Sequence, residues 1–227
     1  YIFTADAGEY TGSQNRGINY SILDIRGNSG QGEILEINTP LVKPASEQLS
    51  AVYHANGKDI WIIARGWKNN NFYAYLLTKQ GISDTVITSI GFTRSTDFHT
   101  IGCLKFSPNG NIAATAIYDE EFIELYKFDT KSGEFSNRLQ IDIPEHHTLY
   151  GVEFSSNGKV LYVSSSKSAL GVYTLFQFNL AEYNATKIAQ SKFNVISSIG
   201  HIGTLQRAIN NKIYVAIMGE KYLHSIE

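Results

Sequence analysis

The sequence predicts an all-β protein, a β-propeller built from four-stranded blades. Three observations lead to this prediction: a strand–turn–strand hairpin recurs along the chain, its copies are evenly spaced, and helix signals are weak. The clearest copy begins at Leu104, turns at Asn109-Gly110 and ends with a more apolar strand at Ile117. Pro108 cannot donate to a strand ladder, so it marks the end of the first strand. The Asn-Gly pair favours a type I′ turn, in which both residues adopt positive φ.

The hairpin is repeated with turn asparagines at Asn56, Asn109, Asn157 and Asn210, which are 53, 48 and 53 residues apart. A period of roughly 40–50 residues is the size of a propeller blade of four strands. The nearly continuous apolar character of each second strand predicts an inner strand that neighbouring blades cover on both faces. A β-sandwich would also explain the short strands and turn signals, but it would not explain the regular recurrence of the asparagine turn.

Each hairpin is followed by an aromatic-rich third strand and by a fourth strand. The third strands are predicted at 72–78, 122–128 and 172–178, and the fourth strands at 85–90, 139–143 and 186–193. A helical turn within 181–190 is the weaker alternative to the last of these. Before the first hairpin, strands are predicted at 1–7, 17–25 and 32–37, and after the last one a strand is predicted at 221–226.

These elements divide the chain into three complete blades and two partial ones. The complete blades are 51–98, 99–147 and 148–200, and the partial blades are 1–50 and 201–227. Because blades bury their faces against each other, an open arc exposes two apolar faces. We therefore expect the chain to be a fragment of a larger propeller.

Composition excludes several classes of function. The 227 residues carry 19 basic and 21 acidic side chains, and the net charge of -2 offers no general attraction to nucleic acid or to an anionic membrane. No apolar run approaches the roughly 20 residues of a transmembrane helix. Cys103 is the single cysteine, so no internal disulfide forms. The chain contains no nucleophile elbow and no glycine-rich phosphate loop, and we predict neither a cofactor nor enzymatic activity.

Several segments resemble one family of exported proteins. The hairpin at 54–59, the run Arg65-Gly66-Trp67 and the strand at 72–77 are similar to the propeller-like N-terminal regions of large Bacteroidetes proteins. Those proteins carry a type B sorting domain for the type IX secretion system, also called a gliding-motility-associated C-terminal domain. The similarity continues through 101–110, 122–129 and 203–207.

This resemblance implies a secreted or cell-surface location, on the outer-membrane exterior. It also implies the type IX secretion machinery as a partner, engaged through a sorting domain that is not among these 227 residues. The family's propeller offers no assigned catalytic residues.

Two loop families converge at one face of the predicted propeller, near its central channel. They are the loops that join blades and the loops between second and third strands. Together they supply seven candidate ligand-binding residues: Arg65, Trp67, Asn70, His99, Asp119, His147 and His201. A ring of imidazoles would suit a transition metal, but no pair of ligands has an interpretable spacing, so no metal is predicted.

Two of these candidates have specific alternatives. Trp67 and the following asparagines would suit a stacked glycan, whereas an aromatic side chain packed under a polar turn is the simpler interpretation. Asp119 begins an acidic run that would suit calcium but lacks the spacing of a calcium loop.

The sequence thus favours a non-enzymatic binding or adhesion platform for a glycan or protein ligand. A lactonase-like propeller hydrolase is the alternative, and a structural spacer is a third hypothesis. At least three convergent acids or imidazoles at the channel mouth would favour the hydrolase, whereas hydroxyls, amides and aromatics would favour the binding protein.

Overall fold

The computed structural model of the protein describes residues 1–6, 16–144, 148–167, 171–198 and 200–227. In these segments eighteen β-strands form five antiparallel sheets. The first sheet contains β1 (Ile2–Ala5), β2 (Ile18–Asp24) and β3 (Glu33–Val42). The second contains β4 (Ala45–Tyr53), β5 (Ile60–Gly66), β6 (Asn71–Thr78) and β7 (Gly81–Ser89). The third contains β8 (Leu104–Phe106), β9 (Ile112–Ala116), β10 (Phe122–Phe128) and β11 (Phe135–Asp142). The fourth contains β12 (Thr148–Phe154), β13 (Val160–Lys167), β14 (Val172–Asn179) and β15 (Phe193–Ser198). The fifth contains β16 (Ile202–Arg207), β17 (Ile213–Ile217) and β18 (His224–Ile226).

Every sheet is a meander in which each strand pairs with the next strand of the chain. The first strands bring successive sheets together, because β4 packs against β8, β8 against β12, and β12 against β16. Sheets arranged around their first strands are the blades of a β-propeller. The predicted fold class, with three complete and two partial blades, is therefore confirmed.

The core lies between neighbouring sheets. Between the second and third sheets the packing is aromatic, and the rings of Phe72 and Phe135 stack with centroids 3.9 Å apart. Between the third and fourth sheets the packing is largely aliphatic. β9 separates the two clusters: Ala113 belongs to the aromatic cluster, Ala114 and Ala116 belong to the aliphatic one, and all three are fully buried. The prediction that the second strand is covered on both faces is confirmed for this blade.

The hairpin turns differ from the predicted type I′ geometry. At the first turn the Gly57 amide donates to the carbonyl of His54 at 2.9 Å, and Gly57 alone takes a left-handed φ of 66°. The Asn56 side chain instead accepts the backbone amides two and three residues further on, both at 3.0 Å. The positive φ predicted for the asparagine was wrong, because its side chain closes the turn. In the fourth turn Asn211 replaces the glycine, with a φ of 65°.

Replacing Gly57 with alanine is expected to lower the free energy of unfolding by about 1 kcal/mol. A Cβ added at Gly57 meets no atom within 4 Å, so the cost is confined to the left-handed backbone. Urea denaturation measures the change, with exposed Lys58→Ala as a control within about 0.5 kcal/mol of wild type. A loss above about 2 kcal/mol would contradict the open geometry of this turn.

The fourth strand predicted over 186–193 was wrong. The chain forms the helix α1 (Ala185–Gln190) there, and β15 begins at Phe193. The Asn184 side chain caps the helix by accepting the Lys187 amide at 3.0 Å. Ile188 is fully buried against the aliphatic core, so the helix replaces part of a strand as cover for the third sheet.

The other helical pieces are short. Residues Gly27–Gly30 form a turn with left-handed φ at Asn28 and Ser29, and Phe98–Thr100 form one 3₁₀ turn. Among the residues that the structure describes, no helix has the length and apolar character required to cross a membrane.

Candidate functional site

The first strands of four successive sheets meet at a cavity of about 390 Å³. We call it the central cleft; its lining is 50–53 of β4, 105–110 of β8 and the following turn, Glu153 of β12, and 206–207 of β16. All of these residues lie at or beyond the carboxyl ends of the first strands. The blade-joining loops precede those strands, so the central cleft lies at the opposite end from them.

One repeated sequence position supplies three of the polar side chains of the central cleft. This position lies four residues before the turn asparagine and holds Val52, Lys105, Glu153 and Gln206 in the four hairpins. All four residues line the cavity. Repetition of the hairpin therefore brings one apolar and three polar side chains to a common space.

The carboxylate in the central cleft is fully engaged. Glu153 is 3% exposed, and its oxygens accept the amide of Phe154 at 2.9 Å and that of Arg207 at 3.0 Å. The Lys105 Nζ lies 3.5 Å from Glu153 Oε2 and donates to Gln206 Oε1 at 2.6 Å. Arg207 Nε is buried without a hydrogen-bond partner. The cleft thus combines two cations with one carboxylate.

A second polar group of side chains is buried between the second and third sheets, beneath the loop from β7 to β8. We call it the arginine cluster; its members are Gln48, Arg65, Arg94, Glu124 and Tyr126. Arg94 is fully buried, and its Nε donates to the carbonyl of His99 at 2.8 Å. Its Nη2 donates to the side-chain oxygen of Gln48 at 2.9 Å, so Arg94 holds the loop against β4.

Arg65 occupies the end of β5 and is also fully buried. Its Cζ lies 3.7 Å from the centroid of the Phe72 ring, which is a cation–π geometry. Its Nη1 donates to the carbonyl of Asn70 at 3.4 Å. The guanidinium therefore lies over an aromatic ring, with one long hydrogen bond from Nη1.

Glu124 is the fully buried carboxylate of the arginine cluster. Its Oε1 accepts the Phe92 amide at 2.7 Å and Arg138 Nε at 2.5 Å. Its Oε2 accepts the Tyr126 hydroxyl at 2.6 Å. Three donors converge on this group, which connects the β7–β8 loop to β10 and β11.

Burial dominates the electrostatics of the arginine cluster. The pKa of Arg94 is lowered to about 9, first by burial and then by the nearby charge of Arg65, against the attraction of Glu124. Burial also lowers the pKa of Arg65. The pKa of Tyr126 is raised well above its usual range, again by burial first, so the hydroxyl remains a donor to Glu124 at neutral pH.

Three of the seven predicted ligand-binding residues meet at the arginine cluster. Arg65 contributes its side chain, whereas Asn70 and His99 contribute backbone carbonyls to Arg65 and Arg94. His147 lies outside the described residues.

The other three predicted residues are placed separately. The Trp67 indole Nε1 is buried without a hydrogen-bond partner, and the Lys68 ammonium lies 5.5 Å from its ring centroid. Asp119 is exposed, with a left-handed φ of 67°. The His201 ring packs edge-on against Tyr173, with centroids 4.9 Å apart.

The side chain of His99 pairs with an acid. It is 7% exposed, its Nε2 lies 3.3 Å from Glu120 Oε1, and its ring packs edge-on against Phe92. In the described part of the chain, no three histidine, cysteine, aspartate or glutamate side chains are grouped as metal ligands would be.

The residues that build both polar groups were largely missed by sequence reasoning. Lys105, Glu153 and Gln206 share a repeat position, and comparison of the hairpins position by position would have found them. Glu124 and Lys127 are the two charges of the otherwise apolar strand β10, and the sequence does not show which of them is buried. Arg94 lies in a loop without periodicity, so the sequence gives no signal for it.

Neither family models nor curated proteins match this chain, whereas solved structures do. A Bacteroides uniformis protein named as a candidate 6-phosphogluconolactonase is similar over 94% of this chain, with 14% identity and a TM-score of 0.62. A Bacteroides fragilis protein named in the same way is similar over 100% of it, with 14% identity and a TM-score of 0.57. A chain of a nidogen/laminin complex is similar over 99% of it, with 11% identity and a TM-score of 0.58.

The chain spans 64% and 66% of the two Bacteroides proteins and 72% of the nidogen/laminin chain. At identities this low, the likeness is one of fold. The comparisons therefore support the β-propeller, and the proteins that share it carry names from different classes of function.

Proposed function

We propose that this chain is a non-enzymatic β-propeller module that binds a small polar ligand in the central cleft. The observation that carries the proposal is the repeated cleft position, at which Lys105, Glu153 and Gln206 meet from three successive sheets. A cavity of about 390 Å³ is within the range of small-molecule sites, which place a few polar groups in a shaped space.

A lactonase-like hydrolase is the second candidate, and it would need several free acids or imidazoles facing the ligand. Among the described residues that line the central cleft, Glu153 is the one acid, and no imidazole accompanies it. Its oxygens are taken by two backbone amides and lie near the Lys105 ammonium. A carboxylate held in this way positions its neighbours, which favours binding over hydrolysis.

The charges of the central cleft indicate the class of ligand. Lys105 and Arg207 bring two positive charges, and the single carboxylate is already engaged. Ser50, Ser107 and Asn109 add hydroxyl and amide groups along the lining. Cations beside hydroxyls and amides suit a glycan that carries a carboxylate, because charge-assisted hydrogen bonds are the strong ones.

The expected result is that trigalacturonate binds the wild-type protein and that Lys105→Met weakens binding about 10- to 100-fold. Isothermal titration calorimetry measures both affinities, with neutral maltotriose as the comparison ligand. Lys58→Met is the matched control, because Lys58 is exposed in a hairpin turn outside the cleft. Equal binding of acidic and neutral trisaccharides, or equal binding by Lys105→Met and wild type, would contradict the proposal.

The hydrolase has its own test. Acid release from glucono-δ-lactone above the uncatalysed rate, followed in a pH-stat and lost in Glu153→Gln, would favour the hydrolase and overturn the non-enzymatic proposal.

An exported parent protein is a further part of this proposal, supported by the family resemblance alone. The module would then present its central cleft outside the cell, as part of a protein handled by the type IX secretion machinery and serving adhesion. Export is tested by detecting the parent protein at the cell surface. Deletion of the secretion machinery should then retain the protein inside the cell.

A further inference from the structure

The arginine cluster contains buried donors that lack acceptors. Nε and Nη2 of Arg65 and Nη1 of Arg94 have no hydrogen-bond partner, and both side chains are fully buried. The hydrogen bonds that the two guanidiniums do make go to neutral oxygens, those of Asn70, His99 and Gln48. The Tyr126 hydroxyl is a further polar neighbour of Arg65, and it donates its own proton to Glu124. Buried polar groups are nearly always paired, and an unpaired charged group is the costliest exception.

The unpaired nitrogens of Arg65 form one edge of its guanidinium. Nε–H and Nη2–H point in parallel within the guanidinium plane, which is the fork that receives a planar oxyanion at two points. The Phe72 ring lies over the same group, 3.7 Å from Cζ. Both donors of this edge are thus buried without a hydrogen-bond partner.

The charges in the arginine cluster do not balance. Arg65 and Arg94 are two fully buried cations. Glu124 is the fully buried carboxylate whose attraction raises the pKa of both. Its oxygens are already occupied by the Phe92 amide, the Tyr126 hydroxyl and a third cation, Arg138. A water molecule would accept from the free nitrogens but would leave the excess positive charge in place.

We propose that the arginine cluster holds a small monovalent anion, bound side-on by the Nε/Nη2 edge of Arg65 and contacted by Nη1 of Arg94. Both guanidiniums are fully buried, so the site is closed to bulk solvent, and a small anion such as formate, nitrate or a halide ion is the occupant that we assign. It uses other residues than the central cleft and is independent of the function proposed for that cleft.

Unfolding at constant ionic strength tests this anion site. The protein is refolded in sodium gluconate, whose anion is too bulky for a sealed site, and gluconate is then exchanged for formate or bromide. Above the dissociation constant, the ratio of folded to unfolded protein should rise about tenfold for each tenfold rise in anion concentration. A larger response to formate identifies a planar oxyanion as the preferred occupant, and a larger response to bromide identifies a halide. No response to either anion overturns the proposal.

Two variants locate the effect. Arg65→Met should abolish the anion response, whereas Arg26→Met, which alters an arginine whose side chain is 90% exposed, should keep it. An unchanged response in Arg65→Met overturns the proposal. If Arg65→Met fails to fold, crystals of the wild-type protein grown in bromide provide the deciding measurement. An anomalous peak within hydrogen-bonding distance of Arg65 and Arg94 supports the site, and a water molecule without an anomalous signal there overturns it.

Discussion

Glu124→Gln is expected to lower the free energy of unfolding by about 3–5 kcal/mol, measured by urea denaturation. The carboxylate accepts from three donors, the Phe92 amide, the Tyr126 hydroxyl and Arg138 Nε. Glutamine has the same shape, but one of its two terminal atoms is a donor, so at least one of these three groups loses its acceptor. The substitution also removes the buried negative charge whose attraction raises the pKa of both Arg65 and Arg94.

An exposed ion pair provides the matched control. Glu182 pairs with Lys187 at 2.5 Å, but both side chains are more than half exposed, at 62% and 57%. Glu182→Gln should therefore change the free energy of unfolding by less than about 0.5 kcal/mol. Similar small losses for both variants would show that the arginine cluster does not depend on Glu124.

The blade pattern was predictable because hairpins are encoded locally. An asparagine turn between a half-polar strand and an apolar strand needs no knowledge of the rest of the chain, and the predicted third strand at 122–128 coincides with β10. The turn geometry was less predictable, because Asn56 closes its turn through the side chain while Gly57 alone takes the left-handed φ. A dipeptide signal marks where a turn lies but does not separate these two solutions.

The fourth blade shows where local pattern fails. Residues 185–190 combine ordinary helix formers with apolar side chains at Ala185, Ile188 and Ala189, and the capping contact of Asn184 with the Lys187 amide begins the helix. The buried side chain of Ile188 then fixes that helix on the core. A sequence pattern over six residues carries too little information to rank the two outcomes.

The candidate sites were predictable to different extents. Position four before each turn asparagine marks the central cleft through Lys105 and Glu153, and it is visible in the repeats once they are aligned on their turns. Arg65 was predicted as a channel residue and proves to be fully buried. Its partners come from a loop, at Arg94, and from another sheet, at Glu124, so tertiary packing alone brings them together.

Gly91→Ala is expected to lower the free energy of unfolding by about 3 kcal/mol or more, because it combines backbone strain with overpacking. Gly91 has a left-handed φ of 91°, and an added Cβ would lie 1.9 Å from the Tyr126 hydroxyl oxygen and 3.0 Å from Glu124 Oε1. Relief requires Tyr126 to move off Glu124, which breaks the hydrogen bond at 2.6 Å between them. Gly57→Ala, with a similar strain and open space around the Cβ, separates the backbone cost from the steric cost.

Removing the Tyr126 hydroxyl allows a second test of the contact between Gly91 and Tyr126. Because Tyr126→Phe removes the atom that the new Cβ meets, Gly91→Ala should cost less in that background than in the wild type, and the two substitutions should be non-additive by about 1 kcal/mol or more. Strict additivity, or a loss for Gly91→Ala no greater than that for Gly57→Ala, would mean that the β7–β8 loop shifts away from β10 without resistance. The loop would then fail to seal the arginine cluster, and the exclusion of larger anions from that cluster would fail with it.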